Sequence, residues 1–263
     1  MDLGIQGKRA LVCASSKGLG LGCAEALAAA GVYLLMNARG PEALEAEAAR
    51  LRSEHGVEVQ TVACDVTTPD GQAQVIEAAQ GVDILVTNAG GPPPGLWSDW
   101  ERDDFIKALD ANMLTPIAFM KALLPSMMEK GWGRVVNITS QSVRAPIAVL
   151  GLSNAARTGL TGYVAGTSRQ VADKGVVMNN LLPGSHATDR IAALARADAS
   201  PRDTVKRQLR AVHDQLDGRP LGVVALAAQV GLAALKARDL KRLRASGLVA
   251  LHRLLQPGGL GGD

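Results

Sequence analysis

Residues 9 to 39 constrain this chain more than any other stretch. An apolar run, Arg9-Ala10-Leu11-Val12-Cys13-Ala14, meets the glycine-rich turn Ser15-Ser16-Lys17-Gly18-Leu19-Gly20-Leu21-Gly22 and then an alanine-rich segment from Cys23 to Ala30. A second apolar run, Val32-Tyr33-Leu34-Leu35-Met36, follows and ends in Asn37-Ala38-Arg39-Gly40. Short apolar runs punctuated by glycine read as buried strands, so the pattern predicts strand, turn, a helix opening at about Leu19, and strand again. Parallel strands need such a crossover between them, and a βαβ unit therefore commits the chain to a parallel sheet.

The alternation continues. Pro41 to His55 scatters Glu42, Glu45, Glu47, Arg50, Arg52 and Glu54 among alanines and leucines and is closed by Gly56, as a surface helix is. A strand from Val57 to Ala63 leads to Cys64-Asp65-Val66-Thr67, a helix near Gly71 to Ala79 follows, and Val82 to Val86 forms another strand ending in Thr87-Asn88-Ala89-Gly90. The loop Gly91-Pro92-Pro93-Pro94-Gly95 is stiff, because each proline fixes its own backbone torsion. A long helix is expected from Asp103 to Glu129, a strand from Gly133 to Ile138, then Thr139-Ser140-Gln141-Ser142, a helix from Ser153 to Lys174, and a strand from Val176 into Pro183-Gly184. The expected fold is a single α/β domain over residues 1 to 263, a doubly wound parallel sheet of Rossmann type with helices on both faces. Ligands of such sheets bind beyond the carboxyl ends of the strands, where Gly18, Arg39, Asp65, Asn88, Ser140 and Pro183 all fall.

At 263 residues and 47% hydrophobic, the chain can bury one substantial core, and no stretch has the composition of an interdomain linker. A net charge of +3 with 3% aromatic residues offers neither a basic track nor stacking platforms, so nucleic acid is not an expected partner. Cys13, Cys23 and Cys64 are far apart, and neither a metal site nor a disulfide framework follows from them. The longest apolar stretch, Leu221 to Leu235, is interrupted by Gln229 and falls short of the roughly 20 residues a bilayer span needs. No basic n-region precedes the first apolar run. A cytoplasmic protein with no membrane partner is expected.

The glycine turn has a chemical reading. A dinucleotide pyrophosphate must approach backbone N–H groups closely, and a helix opening behind the turn adds unpaired donors and a positive dipole end. Ser15, Ser16, Lys17, Gly18, Leu19 and Gly20 are the candidates for that role. Arg39 sits where the adenosine ribose should lie. An acidic residue there favours the free 2′-hydroxyl of NAD, whereas an arginine pairs with a 2′-phosphate, so Arg39 and Lys17 argue for NADP(H).

The order of these motifs resembles the short-chain dehydrogenase/reductase family, most of all its bacterial 3-oxoacyl-acyl-carrier-protein reductase-like branch, over about residues 5 to 190. The family's T-G-x-x-x-G-x-G turn corresponds to Cys13-Ala14-Ser15-Ser16-Lys17-Gly18-Leu19-Gly20, with its first two positions replaced. The resemblance implies that Asp65, beside Val66, contacts adenine and that Asn88-Ala89-Gly90 is the N-A-G motif. It likewise implies that Asn112 holds a proton-relay water and that Pro183-Gly184 with Thr188 frames the nicotinamide. It also implies a serine that orients a carbonyl, matched by Ser140, and a Y-x-x-x-K pair. At the implied spacing this chain has Ser153-Asn154-Ala155-Ala156-Arg157 instead.

That replacement matters chemically. A phenol, with an ordinary pKa near 10, can be tuned toward working pH by a cation, and an aliphatic hydroxyl is far less acidic. Arg157 shares a helix face with Ser153 and stays protonated, so it can hold ribose hydroxyls or an oxyanion but cannot relay a proton. The two tyrosines, Tyr33 and Tyr163, read as core residues. His186 has a suitable pKa range to stand in as proton donor.

Residues 187 to 218 correspond to the family's substrate lid, and Arg190, Arg196, Arg202, Lys206, Arg207 and Arg210 there form either a docking face for an acyl-carrier partner or a solvated face. From residue 219 to 263 the resemblance fades into Ala/Leu/Arg-rich sequence. Two readings of it stand open: a basic amphipathic helix built on Leu240, Leu243, Leu248, Leu251 and Leu255, and a shifted reading frame. The expected function is NADP(H)-dependent hydride transfer on a small carbonyl or alcohol, acyl thioesters among them, by a homodimer or homotetramer. The competing expectations are an NADP(H)-binding sensor or scaffold without turnover, and a lyase or isomerase on the same fold.

Overall fold

The computed structural model describes residues 3–184 and 186. Six strands, β1 (Arg9–Val12), β2 (Tyr33–Ala38), β3 (Val59–Ala63), β4 (Ile84–Thr87), β5 (Gly133–Ile138) and β6 (Val176–Leu181), form one sheet in the order β3-β2-β1-β4-β5-β6. Every neighbouring pair is parallel. Between them run α1 (Gly18–Ala29), α2 (Pro41–His55), α3 (Pro69–Ala78), α4 (Arg102–Leu109), α5 (Thr115–Glu129) and α6 (Gly151–Val171). The expected doubly wound sheet is the fold observed. The expected lid over 187 to 218, Thr188 and the segment from 219 to 263 lie outside the described residues.

Alternation within the strands decides which helices cover which face. Ala10 and Val12 of β1, Leu34 and Met36 of β2, and Ile84 and Val86 of β4 pack with Cys23, Ala24 and Leu27 of α1 and with Leu44, Ala48 and Leu51 of α2. Leu11, Leu35, Leu85 and Val135 turn the other way, onto Val75 of α3, Phe119, Met120 and Leu123 of α5, and Leu160 and Val164 of α6. Burial on both faces is why these strands read as continuous apolar runs. Because β1 has β2 on one side and β4 on the other, the connections leaving β1 and β4 diverge, which opens a crevice at the carboxyl edge.

Three details depart from the sequence expectation. The long helix expected from Asp103 to Glu129 is broken by a π turn, Asp110–Leu114, in which the Thr115 N–H donates to the Asp110 carbonyl. Pro116 supplies the reason: it has no N–H for the Asn112 carbonyl four residues back, and its ring would collide with that carbonyl in a regular helix. The last helix begins at Gly151 and ends at Val171, ahead of a 3-10 turn over Ala172–Lys174. Tyr33, expected in the core, is 44% exposed, because it opens β2 at the amino end of the sheet, where the flanking helices do not reach over it.

Candidate active site

β1 leaves the sheet through Cys13, whose N–H donates to the Val86 carbonyl at 3.0 Å. The chain reverses at Ala14, which has φ 48 and is the sole non-glycine among the described residues with positive φ. That left-handed conformation costs a side-chain-bearing residue roughly 1–2 kcal/mol. It is the position at which the T-G-x-x-x-G-x-G pattern has glycine.

The rest of the turn is built around close approach. Gly18 has φ 58. A Cβ on Gly20 would stand 2.1 Å from the Ala14 carbonyl oxygen and 3.0 Å from Asn88 Nδ2. Asn88 Nδ2 donates to that same Ala14 oxygen at 3.4 Å, so the residue ending β4 is tied to the turn ending β1. Ser15 is fully buried, and both its N–H (2.9 Å) and its hydroxyl (3.3 Å) donate to the Asn37 carbonyl, which makes it an internal brace. Ser16 and Leu19 are half-buried, and Lys17 and Gly18 are exposed.

The start of α1 fits an anion. Its N-cap, Lys17, makes no side-chain capping bond, and no acidic residue stands in its first turn. By contrast, Thr68 accepts the Gly71 N–H at the start of α3, and Glu101 with Asp104 forms a capping box on α4. A first turn with neither cap nor carboxylate, behind an exposed glycine, suits a pyrophosphate.

On the β2–β3 side, Arg39 is exposed just past β2 and Asp65 follows β3. Asp65 Oδ1 accepts from the Thr67 N–H (2.9 Å) and hydroxyl (2.8 Å). Those bonds, with a smaller contribution from the Arg39 charge, hold the Asp65 carboxyl below its ordinary range despite partial burial. The Val66 carbonyl accepts the Thr115 hydroxyl at 3.3 Å, which joins this loop to α5. Asn37, beneath the loop, donates to the Val62 carbonyl at 2.9 Å and to the Cys64 carbonyl at 3.4 Å. Its role was not legible as a motif, because it depends on β3 lying beside β2.

On the β4–β5–β6 side the structure gathers Ser140, Ser153, Arg157, Pro183 and Gly184, and Asn112 lies in the π turn that packs on α6. The Ser140 hydroxyl accepts the Ser142 N–H at 3.1 Å, and the Gln141 N–H donates to the Pro183 carbonyl at 2.9 Å, so the Ser140 turn and the Pro-Gly turn are one unit. Asn112 is buried in the π turn, its Nδ2 donating to the Ala108 carbonyl at 3.3 Å and its Oδ1 buried without a protein partner. Ser153 is 3% exposed and Arg157 8% exposed. Arg157 Nε donates to Ser153 Oγ at 3.2 Å, and Nη1 donates to the Ile138 and Thr139 carbonyls at 2.7 and 2.9 Å. Ala89 is half-buried and Gly90 exposed beyond β4.

Tyr163 is half-buried against the apolar cluster on the α5 side. Burial pushes the half-buried His186 imidazole below its ordinary pKa of 6.5, so it is neutral at neutral pH. Trp100, absent from the sequence reading, packs so closely on the start of α6 that a Cβ on Gly151 would stand 2.3 Å from its ring, and it meets Phe105 edge to face at 6.5 Å. No His, Cys, Asp or Glu cluster suited to a metal occurs among the described residues.

Known proteins resemble this chain in sequence and fold. The chain is 32% identical over 198 residues to the 3-oxoacyl-[acyl-carrier-protein] reductase of Vibrio cholerae, covering 73% of this chain and 79% of that one. It is 30% identical over 213 residues to the D-beta-hydroxybutyrate dehydrogenase of Cupriavidus necator, covering 78% and 82%. The L-sorbose reductase of Gluconobacter frateurii, solved with NADPH and L-sorbose, superposes with a TM-score of 0.78 at 26% identity over 89% of this chain and 92% of that one. The short chain dehydrogenase family model matches residues 8–200, a span that takes in the glycine turn, Asn88, the Ser140 turn and Pro183-Gly184, and on that match this chain belongs to the short chain dehydrogenase family.

Proposed function

We propose that this protein is an NADP(H)-dependent oxidoreductase that interconverts a small-molecule carbonyl and its alcohol. The observation that carries the reading is the convergence of the uncapped glycine turn, Asn88, the Ser140 turn and Pro183 along one carboxyl edge, in a chain whose relatives are reductases and dehydrogenases. Bound there, a nicotinamide dinucleotide would supply or accept hydride. The backbone of Lys17 to Gly20 would hold its pyrophosphate, Arg39 and Lys17 a 2′-phosphate, Asp65 and Val66 the adenine, and Asn88, Ala89 and Gly90 the adjoining ribose. The relative solved with NADPH supports the phosphorylated cofactor.

The residues near the nicotinamide position orient rather than titrate. Ser140 would place the substrate oxygen, with Pro183 and Gly184 facing the carboxamide. Ser153 and Arg157 lie behind Ser140, and the proton would come from water near Asn112, whose buried Oδ1 awaits a donor. His186 is the alternative donor, through the small imidazolium fraction that its lowered pKa leaves at neutral pH. The substrate class extends to acyl thioesters, as the name of the Vibrio cholerae relative suggests.

The reading as a homodimer or homotetramer is supported by α6, which exposes the small residues Ala155, Thr158, Gly162, Ala165 and Gly166. Three unpaired cysteines accord with the reducing cytoplasm. The competing reading, an NADP(H)-binding protein without turnover, draws on one observation: neither tyrosine of the chain stands near Ser140 in sequence or shares its turn, and Ser153 carries only an aliphatic hydroxyl.

Fluorescence titration with NADPH and NADH tests the cofactor assignment. NADPH should bind more tightly, and Arg39→Asp should weaken NADPH by about tenfold or more while leaving NADH unchanged or tighter. Equal affinities in the natural protein, indifferent to Arg39, would overturn it.

A further inference from the structure

Arg157 occupies the place of the family's ribose-holding lysine, yet its side chain is turned to another task. It stands one turn beyond Ser153 on α6, and Nε reaches back to that hydroxyl at 3.2 Å. Nη1 meets two successive carbonyls, Ile138 at 2.7 Å and Thr139 at 2.9 Å, where β5 leaves the sheet. A buried guanidinium needs acceptors for its fixed fork of donors, and these three oxygens are set to receive it. A lysine ammonium is a compact point charge and cannot span the same set.

The carbonyls matter for what comes next in the chain. Thr139 directly precedes Ser140, and on the far side the Gln141 N–H is fixed to the Pro183 carbonyl. The Thr139 N–H and hydroxyl both donate to the Leu181 carbonyl, at 2.8 and 2.9 Å. Ser140 is therefore suspended between β6 and α6, and the α6 anchor is Arg157. Asn154 adds a second tie from α6 to the 140–150 connection, its Nδ2 donating to the Ile147 carbonyl at 2.9 Å.

We propose that Arg157 is a positioning residue: with Ser153 as its internal acceptor, it fixes the β5 exit and thereby the Ser140 hydroxyl, and it does not clamp the nicotinamide ribose. The inference rests on the functional reading above only in taking Ser140 as the group that meets substrate.

The test compares the natural protein with Arg157→Lys and with Ser153→Ala, which removes only the bond to Ser153 Oγ. Backbone amide exchange, NADPH affinity and steady-state kinetics are read on the same samples. Arg157→Lys should speed exchange of the Thr139 to Ser142 amides by about tenfold or more and lower kcat similarly, with the NADPH Kd held within about threefold; Ser153→Ala should move the same amides in the same direction, less far. A loss of NADPH affinity of about tenfold with those amides unchanged would instead make Arg157 a ribose clamp and overturn the inference.

Should Arg157→Lys fail to fold, nitrogen-detected NMR of the natural protein decides. Guanidinium protons of Arg157 that are protected before NADPH is added and unmoved at saturation support the positioning role, and a shift or loss of protection on binding refutes it. A natural protein that neither binds nor oxidises NADPH sinks the functional reading alone, because the exchange of the Ser140 turn is measured without cofactor.

Discussion

Ala14 holds a left-handed backbone that its Cβ disfavours, at the base of the turn that approaches the cofactor position. Ala14→Gly should therefore raise stability, by about 1 kcal/mol, since relief of the left-handed strain exceeds glycine's extra unfolded-state freedom. An unchanged or lowered urea midpoint at constant m-value would show that the turn tolerates the methyl. His186 carries a pH dependence with a definite sign. Its folded pKa is depressed by burial, so the unfolded chain takes up a proton near pH 6.5 while the folded chain resists it. Stability should be level above that pH and fall as pH drops from 6.5 toward the folded value, and His186→Gln should remove that part of the slope. At this scale the sequence was legible where a residue acts through its own backbone, as Gly18 and Gly20 do. It was silent where a side chain acts through a distant segment. Nothing in Ser153-x-x-x-Arg157 announces that the arginine would pair with carbonyls of β5, and Ser15, which belongs to the cofactor motif by position, is spent on Asn37.

Element by element, α3 and α4 are closed at their starts by side chains, and α1 is not. Thr68 closes α3 by accepting the Gly71 N–H at 3.1 Å, and its hydroxyl donates to the Asp65 carbonyl at 2.8 Å. Thr68→Ala should cost about 1 kcal/mol of stability and loosen the Asp65 loop. Calorimetry showing no change in Tm would mean that the cap contributes nothing. The N-cap of α1 makes no such side-chain bond, as is also true of α2, α5 and α6, and what sets α1 apart is the glycine turn that precedes it. Strand existence was legible in β1, β2, β4 and β5, where burial on both faces writes apolar runs, and less so in β3, whose Val59-Gln60-Thr61-Val62-Ala63 is only partly buried. The π turn at Asp110–Leu114 was not legible, although Pro116 was its visible cause. An apolar period fixes that a segment is helical without showing where the ladder widens. The exposure of Tyr33 was missed for a related reason: membership of a strand does not say how far the covering helices extend.

For the whole molecule, the sheet order β3-β2-β1-β4-β5-β6 turns scattered motifs into one edge. Residues from 14 to 186 come together there because every strand is parallel and every connection returns to the same side. That convergence followed from the strand–helix alternation alone. The substrate did not, since the segment corresponding to the family's lid lies outside the described residues. On the proposed function, this edge moves hydride without a tyrosine at position 153. The most direct test is NADPH oxidation by the natural protein, followed at 340 nm over a panel of 3-oxoacyl thioesters, ketones and quinones, in a preparation whose NADPH affinity has been measured. Oxidation matched mole for mole by carbonyl reduced to alcohol is expected, with the loss of both in Ser140→Ala. Tight NADPH binding with no oxidation across the panel, and turnover only after Ser153→Tyr with Arg157→Lys, would contradict it.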